Sequence, residues 1–168
     1  SEIQEVDYYT PIEAIDCAIN MGTTKATVGI DKINNILGLT GDGVKLGIYE
    51  TCTVSSQYYS SYGIDSSHVS IVGPAYNTGS THSTYCAGVA AGSNGVAPSA
   101  HIKSATCEYD WQSFDWSNYD NAQLSNFEAL IADGVDIVSI SWGSTNGSAC
   151  YNYWTKYTDY LIAEDRKS

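Results

Sequence analysis

Positive charge is scarce in this sequence. Seven Lys and Arg stand against nineteen Asp and Glu over 168 residues, a formal charge of −12. A chain of that sign repels phosphate backbones, which excludes nucleic acid as a partner class. No apolar run approaches the ~20 residues that cross a bilayer. Proline is rare too, with three residues, and 43% hydrophobic content excludes a disordered chain. The five cysteines, Cys17, Cys52, Cys86, Cys107 and Cys150, are too scattered for a zinc ribbon and too few for a disulfide-stapled miniprotein. Their odd number leaves at least one thiol free or paired outside the chain. The opening Ser1-Glu2-Ile3-Gln4-Glu5 is polar and acidic and does not read as a secretory signal. What remains is one acidic globular domain, long enough to bury a continuous core. Fourteen tyrosines, abundant Ser, Thr and Asn, and few lysines give it an extracellular composition. A secreted protein whose signal has been removed is the expectation.

Residues 1–35 have no strong pattern and read as an N-terminal extension or propeptide remnant with a lead-in. Pro11 to Ile19 suits a short helix capped by Thr10, and Asp31 suits the cap of a second through Leu37. Strands are expected at Val44–Tyr49, Val69–Val72, Ile102–Cys107 and Asp136–Ser141. Between them, His82–Ala91, Asn121–Ala132 and Tyr153–Asp165 read as helices, the second ended by Asp133-Gly134. Strands alternating with helices imply βαβ units and a parallel sheet, an α/β fold. Glu108 to Asn121, aromatic and acidic, reads as an elaborated surface loop. Gly41-Asp42-Gly43 precedes a strand instead of following one, so it is not a phosphate loop.

Four segments form the pattern that points to chemistry. Gly41 to Thr51 delivers Glu50 at the carboxyl end of a strand and follows it with Thr51. His82-Ser83-Thr84-Tyr85-Cys86-Ala87-Gly88 comes next, then Gly95-Val96-Ala97-Pro98. The last is Val138-Ser139-Ile140-Ser141-Trp142-Gly143. Each is weak alone. In this order and spacing they resemble the subtilisin-like serine peptidases, whose histidine motif reads H-G-T-H-[VC]-A-G, over roughly residues 36–168. The resemblance implies the N-terminal half of a three-layer catalytic domain, about four parallel strands with an open edge needing a second chain. It implies peptide-bond hydrolysis, with His82 as general base and Glu50 orienting its imidazole. Ser141, Trp142 and Gly143 would hold an extended polypeptide substrate through main-chain groups. Imidazole serves as base because it titrates near neutrality, and a carboxylate fixes its tautomer and stabilises the imidazolium.

Two departures stand out. Glu50 occupies the place of the family's Asp, and one extra methylene moves the carboxylate by ~1.5 Å. Misplacement on that scale costs up to ~100-fold in rate, although Glu serves in other hydrolase triads. The larger departure is that no G-T-S-M-[AS] segment follows, so the nucleophilic serine and the oxyanion asparagine lie outside this chain. Three explanations compete: half of a cleaved or split peptidase, a shortened chain, or a non-catalytic relative that binds peptides or regulates another protein. An open parallel edge favours the first. Arg166-Lys167 is then a candidate processing site.

No cofactor and no metal are implied. The link Ala90–Asn94 is too short to wrap a calcium ion, which takes six to eight oxygens. Asp110, Asp115 and Asp120 read as a solvated acidic loop. Cys86 resembles the free cysteine of the proteinase K-like branch, and a Cys52–Cys86 disulfide is compatible with the sequence. Trp111, Phe114, Trp116 and Tyr119 either line a substrate cleft or staple their loop to the domain. Trp142 either walls a specificity pocket or is a buried strand-end tryptophan.

Overall fold

The architecture is that of a computed structural model, which describes residues 21–75, 78–113, 124–142, 157–161 and 163. The expected Pro11–Ile19 helix, most of the Tyr153–Asp165 helix, Gly143, and the aromatic and acidic residues of 114–120 lie outside these. Four strands form one all-parallel sheet in the order β2-β3-β1-β4. They are β1 (Lys45–Glu50), β2 (Val69–Ile71), β3 (His101–Thr106) and β4 (Ile137–Ser139). The helices are α1 (Met21–Val28), α2 (Ile30–Leu37), α3 (Thr81–Ala91), α4 (Cys107–Ser113) and α5 (Ser125–Ala132).

Strand alternation explains the layering, because successive side chains point to opposite faces. Leu46 and Ile48 of β1 pack with Ala87 and Ala91 of α3 and with Ile102 of β3. Tyr49 points the other way, against Phe127 and Leu130 of α5, Leu124 and Ala105. The sheet is therefore covered by α3 on one face and α5 on the other, an α/β/α sandwich. Glu50 is two residues beyond Ile48, so the same alternation aims it at the α3 side.

Close packing of α3 requires a glycine. A Cβ on Gly88 would stand 2.6 Å from Tyr62 Cβ. Gly41 turns the chain into β1 with φ +84°, a conformation that side chains disfavour.

Three expectations change. Residues 107–113 are helical rather than looped. Glu108 and Asp110 sit in the first turn of α4, where negative charge suits the helix dipole. Asp110 is fully buried rather than solvated. Its Oδ1 accepts from the Asn126 N–H (2.7 Å), and its Oδ2 accepts from the Phe127 N–H (3.1 Å) and the Tyr49 hydroxyl (2.5 Å). These N–H groups are the second and third of α5, which an N-cap side chain ordinarily satisfies. Leu124 at the cap position has no such side chain, so Asp110 caps α5 from the preceding helix. Finally, Gly29, not Asp31, precedes the first turn of α2, and Asp31 lies inside that turn.

Candidate active site

The carboxyl end of β1 and the amino end of α3 are tied together by hydrogen bonds that place His82. Ser80 caps α3: its hydroxyl oxygen accepts from the Ser83 N–H (3.0 Å), while Ser83 Oγ donates to the Cys52 carbonyl (2.6 Å). Thr84 Oγ1 donates to the Ser80 carbonyl (2.6 Å) and accepts from the Ser55 N–H (2.9 Å). The Ser80 N–H donates to the Thr53 carbonyl (3.0 Å). Small hydroxyl residues at 80, 83 and 84 thus fasten the helix start to the segment that follows Glu50.

The result is a contact between a buried carboxylate and a half-exposed imidazole. Glu50 is 0% exposed, and its Oε2 stands 3.4 Å from His82 Nε2, whose side chain is 50% exposed. Glu50 Oε1 accepts from the Ser141 N–H at 2.7 Å. Among the described residues, the donor that Oε2 meets is His82 Nε2. Burial raises the Glu50 carboxyl above the usual carboxylate range, while the Ser141 N–H and His82 pull it down. Cys86 lies one helical turn after His82, with Sγ 3.7 Å from Nε2. Burial, with the Glu50 charge acting in the same direction, raises its thiol. Cys52, Cys86 and Cys107 are all free thiols, which removes the Cys52–Cys86 disulfide.

A carboxylate beside an imidazole can hold it in one tautomer and stabilise its protonated form. In a serine triad the carboxylate meets the nitrogen that does not face the nucleophile. Here Glu50 meets Nε2, so the ring must turn before Nε2 can serve a serine. Among the described residues no serine hydroxyl is hydrogen-bonded to His82.

Of the expected substrate-binding residues, Ser141 has its N–H engaged by Glu50. Trp142 donates from Nε1 to the Tyr49 carbonyl (3.0 Å) and packs edge-on to Tyr49 and Trp111. Trp142 is partly buried and packs against the α5-side core. Gly143 lies outside the described residues. Trp111 is thereby stapled to the domain on one edge. Beside the Glu50–His82 pair, an apolar hollow of about 420 Å³ opens between α3 and β4, lined by Leu46, Cys86, Val89, Ala90, Ile137 and Ser141. Sequence reasoning missed the capping role of Asp110, since its partners are 16 and 17 residues away in the chain.

A family model described as the Subtilase family matches residues 34–167. Comparison with curated proteins finds no match.

Proposed function

Since this chain belongs to the Subtilase family, a family of serine peptidases, we propose that it supplies the acid and base of a peptidase triad. His82 takes the proton of a serine, and Glu50 holds the imidazole and stabilises the imidazolium. The observation that carries this reading is the 3.4 Å approach of a fully buried carboxylate to His82. The serine and the oxyanion-binding asparagine come from a segment outside these 168 residues. That segment covers the hollow between α3 and β4, where Ile137 is exposed. The substrate is an extended polypeptide, paired with the chain around residues 141–143. Export is the compartment that fits the composition. Among the described residues, no helix is long and apolar enough to cross a membrane.

Fluorophosphonate labelling tests this. Residues 1–168 alone stay unlabelled and hydrolyse no peptide, and labelling appears when the serine-bearing segment is co-expressed. Stoichiometric labelling of the isolated chain would overturn the assignment.

A second reading, a non-catalytic relative that binds peptides or regulates another protein, draws on one observation. The imidazole nitrogen that Glu50 Oε2 approaches is the one a serine needs. Absence of labelling in the assembled protein, with peptide binding retained, would select it.

A further inference from the structure

Glu50, His82 and Cys86 bring three different ligand atoms to one point: a carboxylate oxygen, an imidazole nitrogen and a thiol sulfur, all within 4.8 Å of one another. We propose that they form a binding site for a borderline-soft divalent cation, zinc above all, with a fourth coordination position open to solvent.

Zinc is bound at about 2.0–2.2 Å by nitrogen and oxygen and at about 2.3 Å by sulfur, in a tetrahedron. Those bond lengths place the ligand atoms of one tetrahedral face about 3.4 Å apart for N and O, and about 3.6 Å apart for N and S. His82 Nε2 stands 3.4 Å from Glu50 Oε2 and 3.7 Å from Cys86 Sγ. Two of the three edges of a zinc face are therefore already set, without movement of the backbone. The third edge joins side chains on two elements that the Ser83 and Thr84 hydrogen bonds hold together.

A separate observation points into the same space. Glu50 Oε2 is buried and lies by His82 and Cys86, and no donor other than His82 reaches it among the described residues. A buried carboxylate oxygen met only by a half-exposed imidazole carries a desolvation cost that a bound cation offsets. The half-exposed His82 side chain provides the entry path. Calcium and magnesium prefer sets of six or more oxygens, so a mixed N, S, O set selects against them. The thiol loses its proton to solvent as zinc binds, and the imidazole coordinates through the Nε2 lone pair.

Binding needs only this chain. Its consequence for catalysis rests on the peptidase reading: a zinc ion on Nε2 takes up the lone pair that a serine proton requires, so zinc is an inhibitor.

Cobalt(II) titration of the purified 168-residue chain tests the site, because a cobalt–thiolate bond has a charge-transfer absorption in the near ultraviolet. One equivalent is expected to bind, with the band displaced by zinc. Cys86→Ser abolishes the band, and Glu50→Gln and His82→Asn each weaken binding at least about tenfold. Cys52→Ser and Cys107→Ser leave it in place. A band that survives Cys86→Ser, or an affinity unchanged in Glu50→Gln, would overturn the proposal. A measurement on the unaltered chain guards against variants that misfold: zinc, but not magnesium, slows iodoacetamide alkylation of Cys86, located by peptide mapping. Equal alkylation with and without excess zinc would also overturn it. Neither outcome depends on peptidase activity, so failure of the metal site and failure of the peptidase reading are separable.

Discussion

Replacing Asp110 with Ala removes a cap that is remote in sequence and central in the fold. Three donors lose their acceptor: the Asn126 and Phe127 N–H groups and the Tyr49 hydroxyl. All three bonds are buried, and Leu124 at the cap position supplies no side-chain acceptor. A buried donor left without a partner costs about 1–3 kcal/mol. The three share one carboxylate and do not add fully, which gives a loss of about 3–5 kcal/mol. Domain stabilities run about 5–15 kcal/mol, so Asp110→Ala removes a large fraction of the total. The urea midpoint should fall by about 1–2 M with little change in slope. Asp42→Ala, at an exposed turn position, serves as the control and should stay within about 0.5 kcal/mol. Near-ultraviolet circular dichroism reports the Tyr49–Trp142–Trp111 cluster and should weaken in Asp110→Ala. A midpoint equal to that of the control would refute the capping argument.

Two further perturbations follow from the packing and from the buried acid. Gly88→Ala pushes a methyl group to 2.6 Å from Tyr62 Cβ, and such overpacking costs about 1–3 kcal/mol, read as a lowered urea midpoint. Glu50 has a raised folded-state pKa, so between its unfolded value, about 4.3, and the raised value the native state binds more protons than the unfolded one. Stability therefore falls as pH rises through that window and levels off above it. Urea midpoints measured across this range should show a shallower pH slope in Glu50→Gln than in the unaltered chain, and equal slopes would contradict the burial argument.

The sheet was legible because each strand announces itself locally. Val44–Tyr49 and Ile102–Cys107 alternate apolar with other residues, and each lies within one residue of the observed strand. β4 is shorter than the six residues expected, since pairing with β1 involves only Ile137, Val138 and Ser139. The Glu50–His82 encounter followed from motif order, with alternation along β1 aiming the carboxylate at α3. What sequence did not disclose depends on long-range burial. Asp110 reads as one acid among several until the fold brings the α5 N-terminus onto it. Ser141 reads as substrate-binding, yet its N–H is engaged by the Glu50 carboxylate 91 residues earlier. Trp142 left two roles open, and the Tyr49 carbonyl and the Trp111 ring show only what its inner side packs on.

Joining the chain to its serine-bearing segment and measuring kcat/KM for His82→Ala and Glu50→Gln tests the central claim most directly. A serine with no base loses several orders of magnitude, so His82→Ala should fall by at least about 10³-fold. Removing the charge from the orienting acid costs up to about 10⁴-fold in a comparable triad, and Glu50→Gln should fall by at least about 10²-fold, mainly in kcat. Activity retained within about twofold in either variant, with circular dichroism unchanged, would contradict the assignment of Glu50 and His82 as acid and base.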